Sequence, residues 1–366
     1  MDLSDQIDIC DLDGQKHGEI PIPEFSQLFF GRFNRDSNIG YVRISDPTQP
    51  GAIYKYNFDA NTLDLVEKSK ARLTLDNAKV ERIYATSKDG TPVPMFVIIP
   101  KDVVLDGTAA VKLYGYGGFS IPISPTYTFS RAAWVSAGGI YVIANLRGGG
   151  EFGRDWAEAG KKANKQKVFE DFIACANHLA QEGYADPSRI VSEGVSNGGL
   201  TVLAAMLQSP DSFGAVIAHV PVTDILRFMD DMGSYGAAWV SDYGDPKKYA
   251  NDFRNAIAYS PLHNVKKDGK YPPLAVFTGY DDDRVQPSLH SFKYFATHQA
   301  VSHPDNIAFL CVKKNAGHGA GDSTKKIIAG EVDGLAFVER TIGPIDQCSY
   351  KMQMQRASKR RNSLDA

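Results

Sequence analysis

Apolar and polar residues keep one rhythm over the first 75 positions and a different one afterwards. In the first stretch, short runs with alternating apolar and polar side chains stand between turn signals such as Asp13-Gly14. Residues 6–10, 26–33, 39–44 and 52–57 are predicted as four short strands, because period-two alternation turns one face of a strand inwards. Four such strands make about one blade of a β-propeller. A lone blade buries too little of its own surface to be a stable unit, and no second copy of the pattern occurs in the chain,. Residues 1–75 are therefore expected to be the end of a larger β-array.

From Ala78 onwards the runs become longer and more continuously apolar. Residues 79–85 and 93–100 read as a strand pair around Lys88-Asp89-Gly90. Buried-type strands then alternate with helical patterns, at 110–114, 139–144, 189–193, 215–218, 274–277 and 307–312. Between them Phe169, Phe172, Ile173, Ala176, Leu179 and Ala180 repeat at helical spacing, which predicts an amphipathic helix over 166–183,. A second helix is predicted over 326–342. This alternation predicts an α/β domain over 76–345, with a mostly parallel sheet covered by helices on both faces. Sites in such sheets lie outside the carboxyl ends of the strands. The last stretch, 346–366, is polar and basic without periodicity and reads as a disordered tail. Its Arg360-Arg361-Asn362-Ser363 has the form of a basic phosphorylation site,.

Composition narrows the function classes. The 366 residues are 43% apolar and 23% charged, which suits a folded globular chain with a sizeable core,. A net charge of −3 gives no footprint for nucleic acid or an anionic membrane,. Cys10, Cys175, Cys311 and Cys348 are far apart with no C-x-x-C pair, so no metal site or disulfide framework is expected,. No cofactor is expected either. The acidic opening Met1-Asp2-Leu3-Ser4-Asp5 is unlike a secretory leader, and no run of 18 apolar residues occurs, so a cytosolic (cytoplasmic) location is expected,.

The chemistry centres on Gly194-Val195-Ser196-Asn197-Gly198, set between a strand and the helical run that starts at Gly199. Strand, Gly-x-Ser-x-Gly and helix form a nucleophile elbow, which presents a serine at a turn too sharp for flanking side chains. A serine hydroxyl needs a base, and the base needs an orienting acid. In this sheet type both follow the serine, each after a later strand. His318, in Asn315-Ala316-Gly317-His318-Gly319-Ala320, is the candidate base, and one of Asp281, Asp282 and Asp283 is the candidate acid. For an oxyanion, the Asn197 N–H supplies one donor. The glycine-rich Tyr114-Gly115-Tyr116-Gly117-Gly118-Phe119 supplies the second, from its backbone or from a tyrosine hydroxyl,.

These residues, with Asn145-Leu146-Arg147-Gly148-Gly149-Gly150-Glu151, Asp282-Asp283-Arg284-Val285 and Ala316-Gly317-His318-Gly319-Ala320-Gly321, resemble the prolyl oligopeptidase (prolyl endopeptidase) family from about residue 5 to 343. The resemblance implies an α/β-hydrolase domain preceded by the last propeller blade, without the family's N-terminal segment and most of its propeller. It implies a serine endopeptidase cleaving on the carboxyl side of proline in oligopeptides through an acyl-enzyme, with proline-containing peptides as partners. Ser196 would be the nucleophile, Asp282 the acid and His318 the base, with Tyr116 and Asn197 as oxyanion donors. Trp239 would stack on the proline ring in a pocket lined by Phe119, Val222, Tyr243 and Val285, and Arg284 would hold a substrate carbonyl. Two alternatives share these residues: an inactive fragment or interaction protein, and a peptide transferase or macrocyclase.

Overall fold

A computed structural model describes residues 5–34, 36–228, 236–319 and 323–364, in two compact units. The first comprises 1–80, 98–101 and 124–137, and the second 81–97, 102–123 and 138–366.

In the first unit β1 (Ile7–Cys10) pairs antiparallel with β2 (Lys16–Ile20) as a separate two-stranded sheet. A four-stranded antiparallel meander follows, of β3 (Gln27–Phe33), β4 (Ile39–Ser45), β5 (Ala52–Asn57) and β6 (Thr62–Lys68). Val42 and Ile44 of β4 and Ala52 and Tyr56 of β5 point into its core, as alternation requires,. The blade-like sheet is present, but its membership differs from the sequence reading. The run at 6–10 belongs to the other sheet, and β6 takes the fourth place. β6, Thr-Leu-Asp-Leu-Val-Glu-Lys, is largely exposed, so no buried face marked it in the sequence. Charge along an edge strand is what discourages pairing with another chain. The later helix α1 (Phe129–Ser136) also belongs to this unit, capped by Thr128 and burying Ala132, Trp134 and Val135.

The other strands are β7 (Lys79–Thr86), β8 (Pro92–Ile99), β9 (Val111–Gly115), β10 (Ile140–Ala144), β11 (Ile190–Val195), β12 (Ala215–His219), β13 (Leu274–Gly279) and β14 (Ala308–Lys313). They form one sheet in the order β14-β13-β12-β11-β9-β10-β8-β7, with the β9–β14 pairings all parallel. β10 and β13 are buried along their whole length, which accounts for their unbroken apolar runs,. This is the α/β-hydrolase arrangement. Its connecting helices are α2 (Arg154–Glu158), α3 (Gln166–Gln181), α4 (Asn197–Gln208), α5 (Gly236–Tyr243), α6 (Ala250–Tyr259), α7 (Ser291–Val301) and α8 (Thr324–Ile342).

Three local readings change. The inward stripe of α3 is Val168, Phe169, Phe172, Cys175, Ala176 and Leu179, together with Asp171; Ile173 and Ala180 are only half-buried. Asp171 is tolerated there because Arg147 meets it, with Nη2 2.6 Å from Oδ1,. His298, whose polar neighbours Thr297 and Gln299 lead the sequence to place it in a solvated connection, lies on α7 and is buried.

The third change is at the end of the chain, where 347–364 form helix α9 (Gln347–Leu364) in place of a disordered tail. The segment holds neither Pro nor Gly and is rich in Gln, Met, Lys and Arg, whose helix propensity needs no apolar stripe,. Its first turn is anchored. Gln347 Nε2 donates to Val104 O, Asp106 Oδ1 and Thr108 Oγ1 at 2.7–2.9 Å. The Arg189 guanidinium sits 3.8 Å from the Tyr350 ring centroid and donates to the carbonyls of Ile342 and Pro344.

Candidate active site

β11 ends at Val195 and α4 begins at Asn197, so the whole reversal falls on Ser196, with φ 60° and ψ −115°. A non-glycine residue with positive φ is uncommon and strained, and persists only where its surroundings fix it. Here the Ser196 N–H donates to His219 O at 2.8 Å, and its carbonyl accepts from Leu200 and Val222 at 3.1 and 3.3 Å. The flanking glycines are steric necessities: a Cβ on Gly194 would lie 2.2 Å from Gly198 O, and one on Gly198 2.5 Å from Gly115 O. The Ser196 side chain does not cap the helix and is half-exposed.

Asp282 follows β13 and His318 follows β14, on the same edge of the sheet as Ser196. His318 Nδ1 is 2.7 Å from Asp282 Oδ2. The other Asp282 oxygen accepts from the N–H groups of Arg284 and Val285 at 3.0 and 2.8 Å. A fully bonded carboxylate of this kind holds the imidazole proton on Nδ1 and leaves Nε2 as an acceptor. Of the three neighbouring aspartates only Asp282 is buried; Asp281 and Asp283 are exposed. Among the described residues the Ser196 hydroxyl makes no hydrogen bond, so its contact with His318 is not closed. Such contacts often tighten only with substrate bound. Ala320 and Gly321 of the His318 motif lie outside the described residues.

The Asn197 N–H, first of α4, has no acceptor among the described residues and lies at the positive end of the helix,. The Asn197 side chain ties its surroundings together: Nδ2 donates to Tyr116 O at 2.6 Å and Oδ1 accepts from the Tyr243 hydroxyl at 2.8 Å. Thr201 Oγ1 donates to the same Tyr116 carbonyl at 2.9 Å. Burial pushes the Tyr116 hydroxyl well above the usual phenol range, with the Arg284 charge pulling weakly the other way, so it stays a proton donor.

Beside these donors stands an aromatic wall. Phe119 meets Trp239 and Tyr243 edge-on, with centroids 5.1 and 5.5 Å apart, and Trp239 and Tyr243 are nearly coplanar in orientation at 6.2 Å. Val222 and Val285 are fully buried. Arg284 is exposed, two residues beyond Asp282. Every candidate residue therefore lies in the hydrolase unit, around the carboxyl ends of its strands.

Several contributors carry no sequence signal. Phe228 packs on Trp239 at 4.4 Å and meets His290 edge-on. His290 Nδ1 accepts from the N–H groups of Thr223 and Asp224, fixing the turn next to Val222. Burial holds this imidazole neutral, its pKa lowered to about 3. Lys165 and Asp242, both fully buried, form an ion pair at 2.7 Å behind Tyr243. No cluster of side chains suited to hold a metal occurs among the described residues, and none of their helices is long and apolar enough to cross a membrane.

A family model described as the prolyl oligopeptidase family matches residues 125–344, more than half of the chain. The chain belongs to the prolyl oligopeptidase family. Among relatives of this family, it is 36% identical over 343 residues to the prolyl endopeptidase of Elizabethkingia meningoseptica, covering 93% of this chain and 48% of that one. A solved structure from an analysis of two prolyl endopeptidases superposes with a TM-score of 0.86 at 37% identity, covering 93% of this chain and 50% of that one. Prolyl oligopeptidase B of Galerina marginata, bound to a 35mer hydrolysis and macrocyclization substrate, gives 0.84 at 31% identity, with 93% and 48% covered. The chain spans about half the length of these relatives.

Proposed function

We propose that this chain carries the catalytic centre of a serine endopeptidase that cleaves oligopeptides on the carboxyl side of proline. The observation that carries the reading is the bonded Asp282–His318 pair on the same sheet edge as the strained Ser196 elbow. In this reading Ser196 Oγ attacks the scissile carbonyl while His318 Nε2 takes its proton. Asp282 holds the imidazole and stabilises the imidazolium. The Asn197 N–H and the Tyr116 hydroxyl receive the negative charge that develops on the carbonyl oxygen. His318 then returns the proton to the leaving amine, and water repeats the sequence on the acyl-enzyme.

Proline specificity rests on the aromatic wall. A pyrrolidine ring is flat and apolar, and an indole face in a dry pocket suits it. A basic side chain would call for a buried carboxylate facing the pocket instead. Asp242, the buried carboxylate closest in sequence to Trp239, is already committed to Lys165 and the Phe119 N–H. In this reading the exposed Arg284 holds a substrate carbonyl.

The test is fluorophore release from blocked Gly-Pro, Gly-Ala and Gly-Arg amides by the purified chain, with Ser196→Ala beside it. Turnover confined to the Gly-Pro substrate and abolished by the substitution is the expected result. Equal turnover of all three, or full activity of Ser196→Ala, overturns the reading. A second outcome of the same acyl-enzyme is release by an amine, which kinship with a protein that handles a macrocyclization substrate favours. Mass spectrometry of products from a longer peptide separates cyclic from hydrolysed species.

A further inference from the structure

The oxyanion loop is an uncomfortable piece of backbone. Gly117, Phe119 and Ser120 all have positive φ, at 64°, 56° and 56°, and two of the three carry side chains. Such a sequence of left-handed residues relaxes unless something outside the loop holds it. Tyr116 O is held by Asn197 and Thr201. At the far end the Ser120 N–H donates to Gly148 O at 3.0 Å. Between these two anchors Gly117 O and the Phe119 N–H are held by one ion pair. Lys165 Nζ donates to Gly117 O at 3.1 Å and to Asp242 Oδ2 at 2.7 Å, and Asp242 Oδ1 accepts from the Phe119 N–H at 2.9 Å. The ammonium also lies 5.1 Å from the Tyr243 ring centroid.

Stability does not explain this pair. Both side chains are fully buried, and burial pulls the Lys165 ammonium down from its ordinary pKa, with Asp242 opposing. A buried ion pair often contributes no more than apolar residues of the same volume would. What the pair does have is direction. Asp242 lies on α5 between Trp239 and Tyr243, so each of its oxygens links the helix bearing the aromatic wall to the loop bearing Tyr116. We propose that Lys165–Asp242 is a positioning pair that fixes the Tyr116–Phe119 loop against α5, so that the oxyanion donor and the proline-stacking ring are set by one constraint. The catalytic part of this inference rests on the peptidase reading above.

The test replaces both charges together, Lys165→Met with Asp242→Leu, so that no unpaired charge is left behind. The expected variant stays folded with a modest drop in melting temperature, since the Gly117 carbonyl and the Phe119 N–H lose their partners, yet its kcat on the blocked Gly-Pro amide falls about 100-fold, the scale of a misplaced oxyanion donor. Hydrogen exchange at the Phe119 amide becomes faster while exchange in β11 stays unchanged. A folded double variant with kcat within threefold of wild type and unchanged Phe119 exchange overturns the proposal. Exchange decides the pinning even if the wild-type chain turns over nothing, in which case the peptidase reading fails on its own. Should the double variant not fold, Asp242→Asn substitutes for it. A neutral acceptor is a weaker partner for Phe119 N–H and Lys165, so at least a tenfold loss in kcat and faster Phe119 exchange are expected. Wild-type values there overturn the proposal as well.

Discussion

Each group in the candidate site is defined by what fixes it. Asp282 differs from Asp281 and Asp283 in having both oxygens occupied, one by His318 and the other by two backbone N–H groups. Trp239 is held by Phe119 and Phe228 and is only 7% exposed, so its ring is in place before a ligand arrives. Trp239→Ala should therefore lower kcat/KM for a Gly-Pro amide about 30-fold, equivalent to about 2 kcal/mol of lost apolar contact. The Gly-Ala value should change far less, and equal losses on both substrates would assign Trp239 a packing role alone. Ser196 and His318 were legible as candidates, because each stands in a short motif beside a strand, whereas spacing left three aspartates open and only the family resemblance singled out Asp282. Lys165, Asp242 and His290 were not legible. Their roles depend on partners distant in the chain, 77 residues in the case of the ion pair, and no local pattern encodes such a meeting.

Elements were legible in proportion to how strongly one face is buried. The hydrolase strands announced themselves through unbroken apolar runs, whereas exposed β6 and α7, whose apolar residues share no single face, gave no such contrast. Helix α9 has no apolar face and is secured by a polar first turn. Arg189 is central to that anchor, since one buried guanidinium serves the carbonyls of Thr108, Ile342 and Pro344 and lies against Tyr350. Arg189→Met leaves those buried carbonyls without their charged donor, and a loss of about 3 kcal/mol is expected. Chemical denaturation should show it as a shifted midpoint. Exchange in 347–351 should rise with it, and an unchanged midpoint would mean that Gln347 and the Lys351–Asp106 pair hold α9 without Arg189.

For the molecule as a whole, acid tolerance is set by histidines before carboxylates. His290 and His298 are buried, and burial lowers their pKa values to about 3 and about 4, from an ordinary 6.5. An imidazole depressed in the folded state takes up its proton more readily in the unfolded chain. Its contribution is complete above pH 6.5 and is lost as pH falls towards 4. Glu193, held near 2 against its own burial by Lys112 and His219, loses its contribution only below that range. Melting temperature should therefore already decline between pH 6.5 and 5, and His298→Leu should flatten that limb without lowering the value at pH 7. Glu151, raised by burial to about 6, works in the opposite direction over the same interval,, so the comparison decides: a His298→Leu profile parallel to wild type would contradict the burial of that ring.

The strand order also has a consequence in time. Outwards from β9, the sheet adds β11, β12, β13 and β14 in the order in which a ribosome delivers them, each beside its predecessor. Ser196 is placed at the end of β11, early in that series. Asp282 and His318 arrive only with the last two strands, more than 80 residues later in the chain, as its numbering shows. During synthesis the Ser196 hydroxyl therefore stands for some time beside an unfinished edge. In the proposed reading, the base that would activate it comes with the last strand of the sheet, so a nascent chain would be chemically silent until that strand is in place.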